Sequence, residues 1–172
     1  DVNVEGTRNL IDASLMAGVK KFIHGSTIGV YGIMDGEINE NTKGNPDNIY
    51  GVTKLEGEKL VLSYKNKLPV TILRIPETYG PGDRRLLKMF KGIKKGVFPL
   101  IGKGDNLHHL IYVDDLIEGF LVAAENDNAN GKIFLLSGVE PVSTKQMINI
   151  MVEILEADKP KIRLPLPVSY TH

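Results

Sequence analysis

Residues 68–84 read LPVTILRIPETYGPGDR. The run VTILRI (70–75) is β-branched and apolar without regular polar alternation, which predicts a buried strand. PETYGPGDR (76–84) then punctuates it as a tight loop, with two prolines and two glycines in nine residues. Two other stretches have the same character, KFIHGST (21–27) and KIFLLSG (132–138). Helix-like segments separate them. Short strands of this kind alternating with helices predict parallel strands covered on both faces, a doubly wound α/β sheet.

The segments between the strands carry their own signals. Val4, Leu10, Ile11, Leu15 and Met16 recur at helical spacing, and Gly18 with Lys20 and Lys21 predicts a stop. From Ile28 to Asn48 the chain reads as loop. IYGVTKLEGEKLVLSYK (49–65) is a helix with Leu55, Leu60, Val61 and Tyr64 on its stripe. RLLKMFKGIKKG (85–96) is helical, whereas VFPLIG and HLIYV are short extended pieces. DDLIEGFLVAAEN (114–126) is another helix, with Asp115 and Glu118 placed as a capping box. Ser143 and Gln146 fit that box better and predict a helix to about Ala157. The tail KPKIRLPLPVSYTH holds three prolines and is expected to lie extended on the surface. No internal repeat or low-complexity segment interrupts this order.

Composition narrows the function classes. The chain has 172 residues, enough for a core burying roughly 70% of the unfolded surface. Twenty-one Lys and Arg balance twenty-one Asp and Glu, so no basic surplus points to nucleic acid or a membrane surface. KGIKKG (91–96), the densest basic patch, contains no aromatic residue and reads as a solvated helix face. With no cysteine, disulfides and thiolate ligands are excluded. The histidines at 24, 108, 109 and 172 lack the i, i+4 spacing of helical metal pairs, and no metal is expected. No apolar run reaches the ~18 residues of a membrane span, and a cytoplasmic protein is the expectation.

Tyr50 and Lys54 are four apart on a predicted helix and share one face. A free tyrosine titrates near pH 10, too high for a base at neutral pH, and a neighbouring ammonium favours the phenolate. Such a phenol passes a proton to or from a substrate oxygen. The plainer alternative is a lysine stem packed on a ring. Context weighs against it: HGSTIGVYG ends one predicted strand and RIPETYGPGDR ends the next, so three polar clusters converge where parallel sheets bind ligands.

Together, NVEGTRNLIDAS, GSTIGVYG, IYGVTK, RIPETYGPGD and HLIYVDDLIEGF resemble the extended short-chain dehydrogenase/reductase family, the NAD-dependent epimerases and dehydratases, from residue 2 to about 138. The resemblance implies a Rossmann-like fold, incomplete because the N-terminal strands are absent. Core elements would lie at 1–76 and 113–138, with small substrate-side elements at 77–112 and 139–172. It also implies roles. Tyr50 would be the general acid/base. Lys54 would hold the nicotinamide ribose and favour the phenolate. Thr27 would hydrogen-bond the reacting oxygen, with Ser26 as second choice. Ile75 and Pro76 would approach the nicotinamide amide of NAD or NADP. Asp115 matches a family position, but helix capping suffices for it. Asn3 either contacts the site or caps its helix.

Two departures bear on substrate. Glu77 stands where nucleotide-sugar members carry an Asn facing the diphosphate, and His108 where they carry an Arg. A carboxylate repels a diphosphate, and His lacks the bidentate fork of Arg. A nucleoside-diphosphate sugar remains the first expectation, with hydroxysteroid- or dihydroflavonol-type hydride transfer as the alternative. A non-catalytic binding module is the second alternative. The GxxGxxG turn that binds the cofactor pyrophosphate in this family is missing. The resemblance therefore implies a fragment, a chain that pairs with another supplying the missing strands, or a non-catalytic remnant, in each case binding cofactor weakly or not at all alone. A strand KFIHGST left with one uncovered edge predicts a homodimer or larger assembly.

Overall fold

The computed structural model describes residues 2–34 and 36–165. In chain order it contains α1 (Glu5–Met16), β1 (Phe22–Thr27), a 3-10 turn (Ile28–Tyr31), α2 (Ile49–Ser63), β2 (Val70–Ile75) and β3 (Glu77–Tyr79). There follow α3 (Arg84–Lys94), β4 (Leu100–Ile101), β5 (Leu107–His108), β6 (Leu110–Tyr112) and α4 (Val113–Glu125). The last elements are β7 (Lys132–Leu135), β8 (Val142–Ser143), α5 (Thr144–Ile154) and β9 (Arg163–Leu164). The chain divides into two compact units, one of residues up to Thr78 with Val113–Ser137, the other of Tyr79–Tyr112 with the residues from Gly138 on.

The first unit is built on a parallel sheet of order β1-β2-β7. The three expected strands thus form one ladder, with β1 at its edge among the described residues. Register places His24 beside Ile72, Ser26 beside Arg74 and Thr27 beside Ile75. Successive side chains alternate between faces. On one face Ile72 and Val70 pack with Ile11, Val61 and Leu68 in a fully buried cluster under α1 and α2. Each such side chain contributes about 1.5–3 kcal/mol by leaving water. On the other face Gly25 has no Cβ, and one built there would touch Ile75 and Phe120 of α4 at 3.4 and 3.5 Å. Helices therefore cover both faces, which is why these strands need no polar alternation.

Local chemistry fixes the helix ends. Gly18, at φ 67°, turns the chain out of α1 as its position predicts. Asn48 caps α2, its Oδ1 accepting the Gly51 N–H at 2.9 Å. At Gly32, φ 70°, a Cβ would lie 2.1 Å from the Asn45 carbonyl oxygen, so only glycine closes the neck of the 33–44 loop. One expectation is corrected: α4 begins at Val113, so Asp115 lies inside its first turn rather than at the cap. Residues 110–112 run straight into the helix without a loop. The two acids there still favour the helix N-terminus electrostatically. At the far end of α4, Lys21 Nζ donates to the carbonyls of Ala123 (3.2 Å) and Asn126 (2.9 Å).

In the second unit α3 and α5 pack Ile93, Ile148, Met151 and Val152 into an apolar cluster with Leu86, Met89, Phe90 and Phe98 at its margin. Asp83 caps α3. Ser143 and Gln146 form the expected capping box of α5, which ends at Ile154 rather than near Ala157. Lys91, Lys94 and Lys95 are exposed on α3 while Ile93 is buried. The tail differs from expectation in part: Arg163 and Leu164 pair in parallel with Leu100 and Ile101 instead of lying free. Residues 166–172, where the extended tail was expected to continue, lie outside the described residues. No helix among the described residues is long and apolar enough to cross a membrane.

Candidate functional site

Three consecutive residues at the end of β1 are each held by a different partner. The Gly25 carbonyl accepts a 2.6 Å bond from Lys54 Nζ. Ser26 Oγ donates to Glu58 Oε1 at 2.6 Å. Thr27 Oγ1 accepts the Gly29 N–H at 3.1 Å and caps the turn that follows. That bond occupies one lone pair of the Thr27 oxygen and leaves its proton available for donation.

The first turn of α2 is pressed against the same segment. A Cβ at Gly51 would sit 2.4 Å from the Gly29 carbonyl oxygen and 2.8 Å from Pro46, so the helix approaches closely because residue 51 has no side chain. Tyr50, beside it, is half exposed at 53%. Lys54 is partly buried. Burial pushes its pKa below the usual lysine range, and the Glu58 carboxylate pulls in the opposite direction.

Beneath this surface lies a polar network absent from the sequence-based site. Glu58 and Arg74 are buried at 2% and 4% exposure and bond twice, Nε to Oε1 at 3.0 Å and Nη2 to Oε2 at 2.8 Å. Arg74 Nη1 donates to the Tyr31 hydroxyl at 2.7 Å, and the guanidinium stacks 4.8 Å over that ring. The Tyr31 hydroxyl in turn donates to the Asn39 carbonyl. His24 shares this face, buried, and its Nε2 has no hydrogen-bond partner. Burial first, then the Lys54 ammonium, lower its pKa to about 4, with Glu58 opposing. His24 is therefore neutral at pH 7. The signals for this network were present in the sequence: an arginine inside an apolar strand must find a partner, and Glu58 follows Lys54 by one helical turn.

The other candidate residues fall as follows. Ile75 ends β2 opposite Thr27. Pro76 after it is buried and Glu77 exposed. Ser26 points its hydroxyl at Glu58. Asn3 donates from Nδ2 to Thr53 Oγ1 at 2.9 Å, tying the start of α1 to α2. In the second unit His108 Nε2 lies 2.9 Å from Thr144 Oγ1. That unit also holds a cavity of about 370 Å³ lined by Tyr79, Pro81, Leu86, Leu87, Phe90 and Tyr112. Tyr79 and Tyr112 meet there with ring centroids 5.4 Å apart.

A parallel sheet covered by helices on both faces defines a Rossmann-like α/β protein. The model of the NAD dependent epimerase/dehydratase family matches residues 1–137, and the chain belongs to that family. It is 30% identical to the N-acetyl-alpha-D-glucosaminyl-diphospho-ditrans,octacis-undecaprenol 4-epimerase of Escherichia coli O157:H7, over 98% of this chain and 52% of that protein. It is 29% identical to 3beta-hydroxysteroid-dehydrogenase/decarboxylase isoform 2 of Arabidopsis thaliana, over 95% of this chain and 32% of that one. Among solved structures, the NAD complex of UDP-glucuronic acid 4-epimerase from Bacillus cereus superposes with a TM-score of 0.82 at 32% identity. That match covers 95% of this chain and 56% of the other. The chain thus spans about half the length of these bacterial relatives.

Proposed function

We infer that this chain carries the proton-transfer side of an NAD(P)-dependent reaction on a nucleoside-diphosphate sugar, of epimerase or dehydratase type. The observation that carries the reading is the packing of α2 on the end of β1. Gly51 lets the Tyr50–Lys54 turn close on the residues just after Thr27, and Lys54 bonds to Gly25 on that strand. In this reading Tyr50 Oη takes the proton from a substrate hydroxyl while the Thr27 hydroxyl donates to the same oxygen. Lys54 uses one N–H on Gly25 and has two more for a ribose and for favouring the phenolate. Tyr50, Lys54, Ile75 and Pro76 would hold the nicotinamide end of the cofactor. Tyr50 is half exposed, and Thr27 and Ile75 stand side by side at the strand ends. The nicotinamide supplies the hydride-accepting chemistry when bound.

The second reading is hydride transfer between a nicotinamide and the carbon of a neutral alcohol or ketone, oxidising the one or reducing the other. It is favoured by Glu77, an exposed carboxylate where a diphosphate would be repelled, and by a hydroxysteroid dehydrogenase among the relatives. The two readings share Tyr50, Lys54 and Thr27. Titration with NADH and NADPH, followed by nicotinamide fluorescence, reports cofactor binding. UDP-sugars and a neutral hydroxysteroid are then offered as substrates. Tyr50→Phe is expected to abolish turnover and spare cofactor affinity, and unchanged turnover overturns the proton-transfer role. Absence of saturable binding at millimolar cofactor leaves a fragment without its cofactor half or a non-catalytic module.

A further inference from the structure

We propose that Glu58 is a positioning residue: clamped by Arg74 and Ser26, it holds the Lys54 ammonium and the Thr27 end of β1 in fixed relation to one another. The proposal rests on the proton-transfer reading above and assigns it a buried support. Gly25, Ser26 and Thr27 are consecutive, and the first two are tied to α2, by Lys54 and Glu58 respectively. Lys54 and Glu58 are one turn apart on the same helix face. The carboxylate therefore ties the strand to α2 through Ser26, next to the carbonyl that holds the lysine, and its charge acts on that lysine.

Arg74 makes that point rigid. Its fork engages both carboxylate oxygens, which fixes direction as well as distance. Its remaining nitrogen reaches Tyr31 at the end of the turn that Thr27 caps. One ion pair thus touches α2, β1, β2 and the turn. Stability is a poor reason for such a pair, because well-packed apolar residues in its place are often neutral or better. Packing alone would leave helix and strand free to slide by fractions of an ångström, a displacement to which proton transfer is sensitive. The charge matters too, since the Glu58 carboxylate favours the ammonium form of Lys54 against the effect of burial.

The test uses the full chain labelled with 13C-lysine, with the Lys54 resonance assigned through Lys54→Arg. Glu58→Gln keeps shape and one acceptor but removes the charge, and it is expected to lower the Lys54 titration midpoint by about one unit. Ser26→Ala keeps the ion pair and is expected to speed amide exchange about tenfold at Thr27 and Gly29, with β2 residues 70–73 unchanged. A merely structural role would lower melting temperature while leaving the Lys54 midpoint in place and spreading faster exchange evenly over the sheet. That result overturns the proposal. Should Glu58→Gln fail to fold, Glu58→Gln with Arg74→Met removes both charges and carries the same titration. None of these readouts requires cofactor or turnover. A shifted midpoint in a chain without turnover supports the positioning role and counts only against the reaction assigned above. An unmoved midpoint in an active chain counts only against Glu58.

Discussion

The two units solve burial in opposite ways. In the first, the buried residues include Thr7, His24, Ser26, Glu58, Thr71 and Arg74, whereas in the second no polar or charged residue is buried among those described. The second unit is held by aliphatic and aromatic packing between α3 and α5. Their charges differ as well. The first unit carries fifteen acidic and ten basic residues, the second six and eleven, so overall neutrality conceals nets of −5 and +5. A buried polar group is expensive unless it is satisfied, and it enforces geometry where an apolar core enforces only volume. The contrast identifies the first unit as the one whose interior is built to hold directions.

If that is right, the units should respond differently to substitution. The largest effect is expected from Arg74→Met. It strands the Glu58 carboxylate in the interior and should destabilise the chain by about 4 kcal/mol in urea titration. Parent-like stability would mean that water reaches the pair. Ile148→Ala in the second unit removes three carbons from a tight apolar cluster, at a cost of about 3 kcal/mol. Its denaturation should show no change in pH dependence.

Acid should act on the first unit through His24. Its pKa falls from 6.5 in the unfolded chain to about 4 in the folded one, so the unfolded state binds the proton more readily. The corresponding stability is complete above pH 6.5 and is lost as pH falls through 6.5 toward 4, up to about 3 kcal/mol. His24→Phe should flatten that part of the stability–pH curve, and an unchanged slope would assign the loss to other groups. Smallest is Ser143→Ala, which opens the capping box of α5 and should lower stability by about 1 kcal/mol.

Much of the first unit was legible because its strands are covered on both sides. VTILRI, KFIHGST and KIFLLSG lack polar alternation for the same reason that they form a parallel ladder. The helix stop at Gly18 and the Ser143 box were equally plain, since each rests on chemistry within four residues. What escaped was non-local. Leu100–Ile101 and Arg163–Leu164 are two-residue strands some sixty positions apart, too short to show any period. Arg74 passed as part of an apolar run, because its partner on α2 is sixteen residues away and nothing in the run itself names it. Asn48 stood within the GNPDN loop, where several residues suit a cap equally well. Of the candidate site, the positions of Thr27 and Ile75 at the strand ends and of Lys54 on α2 followed from the order of elements. The support below them did not.

The neck at Gly32 does not make the loop beyond it independent of the network below. The Asn45 carbonyl sits where a side chain would have been, and between these two points Asn39 and Glu40 reach back to Tyr31 and to β7. The 33–44 segment is consequently no free graft site, because an insert that moved Asn39 or Glu40 would release the Tyr31 hydroxyl and the Leu135 N–H from their partners.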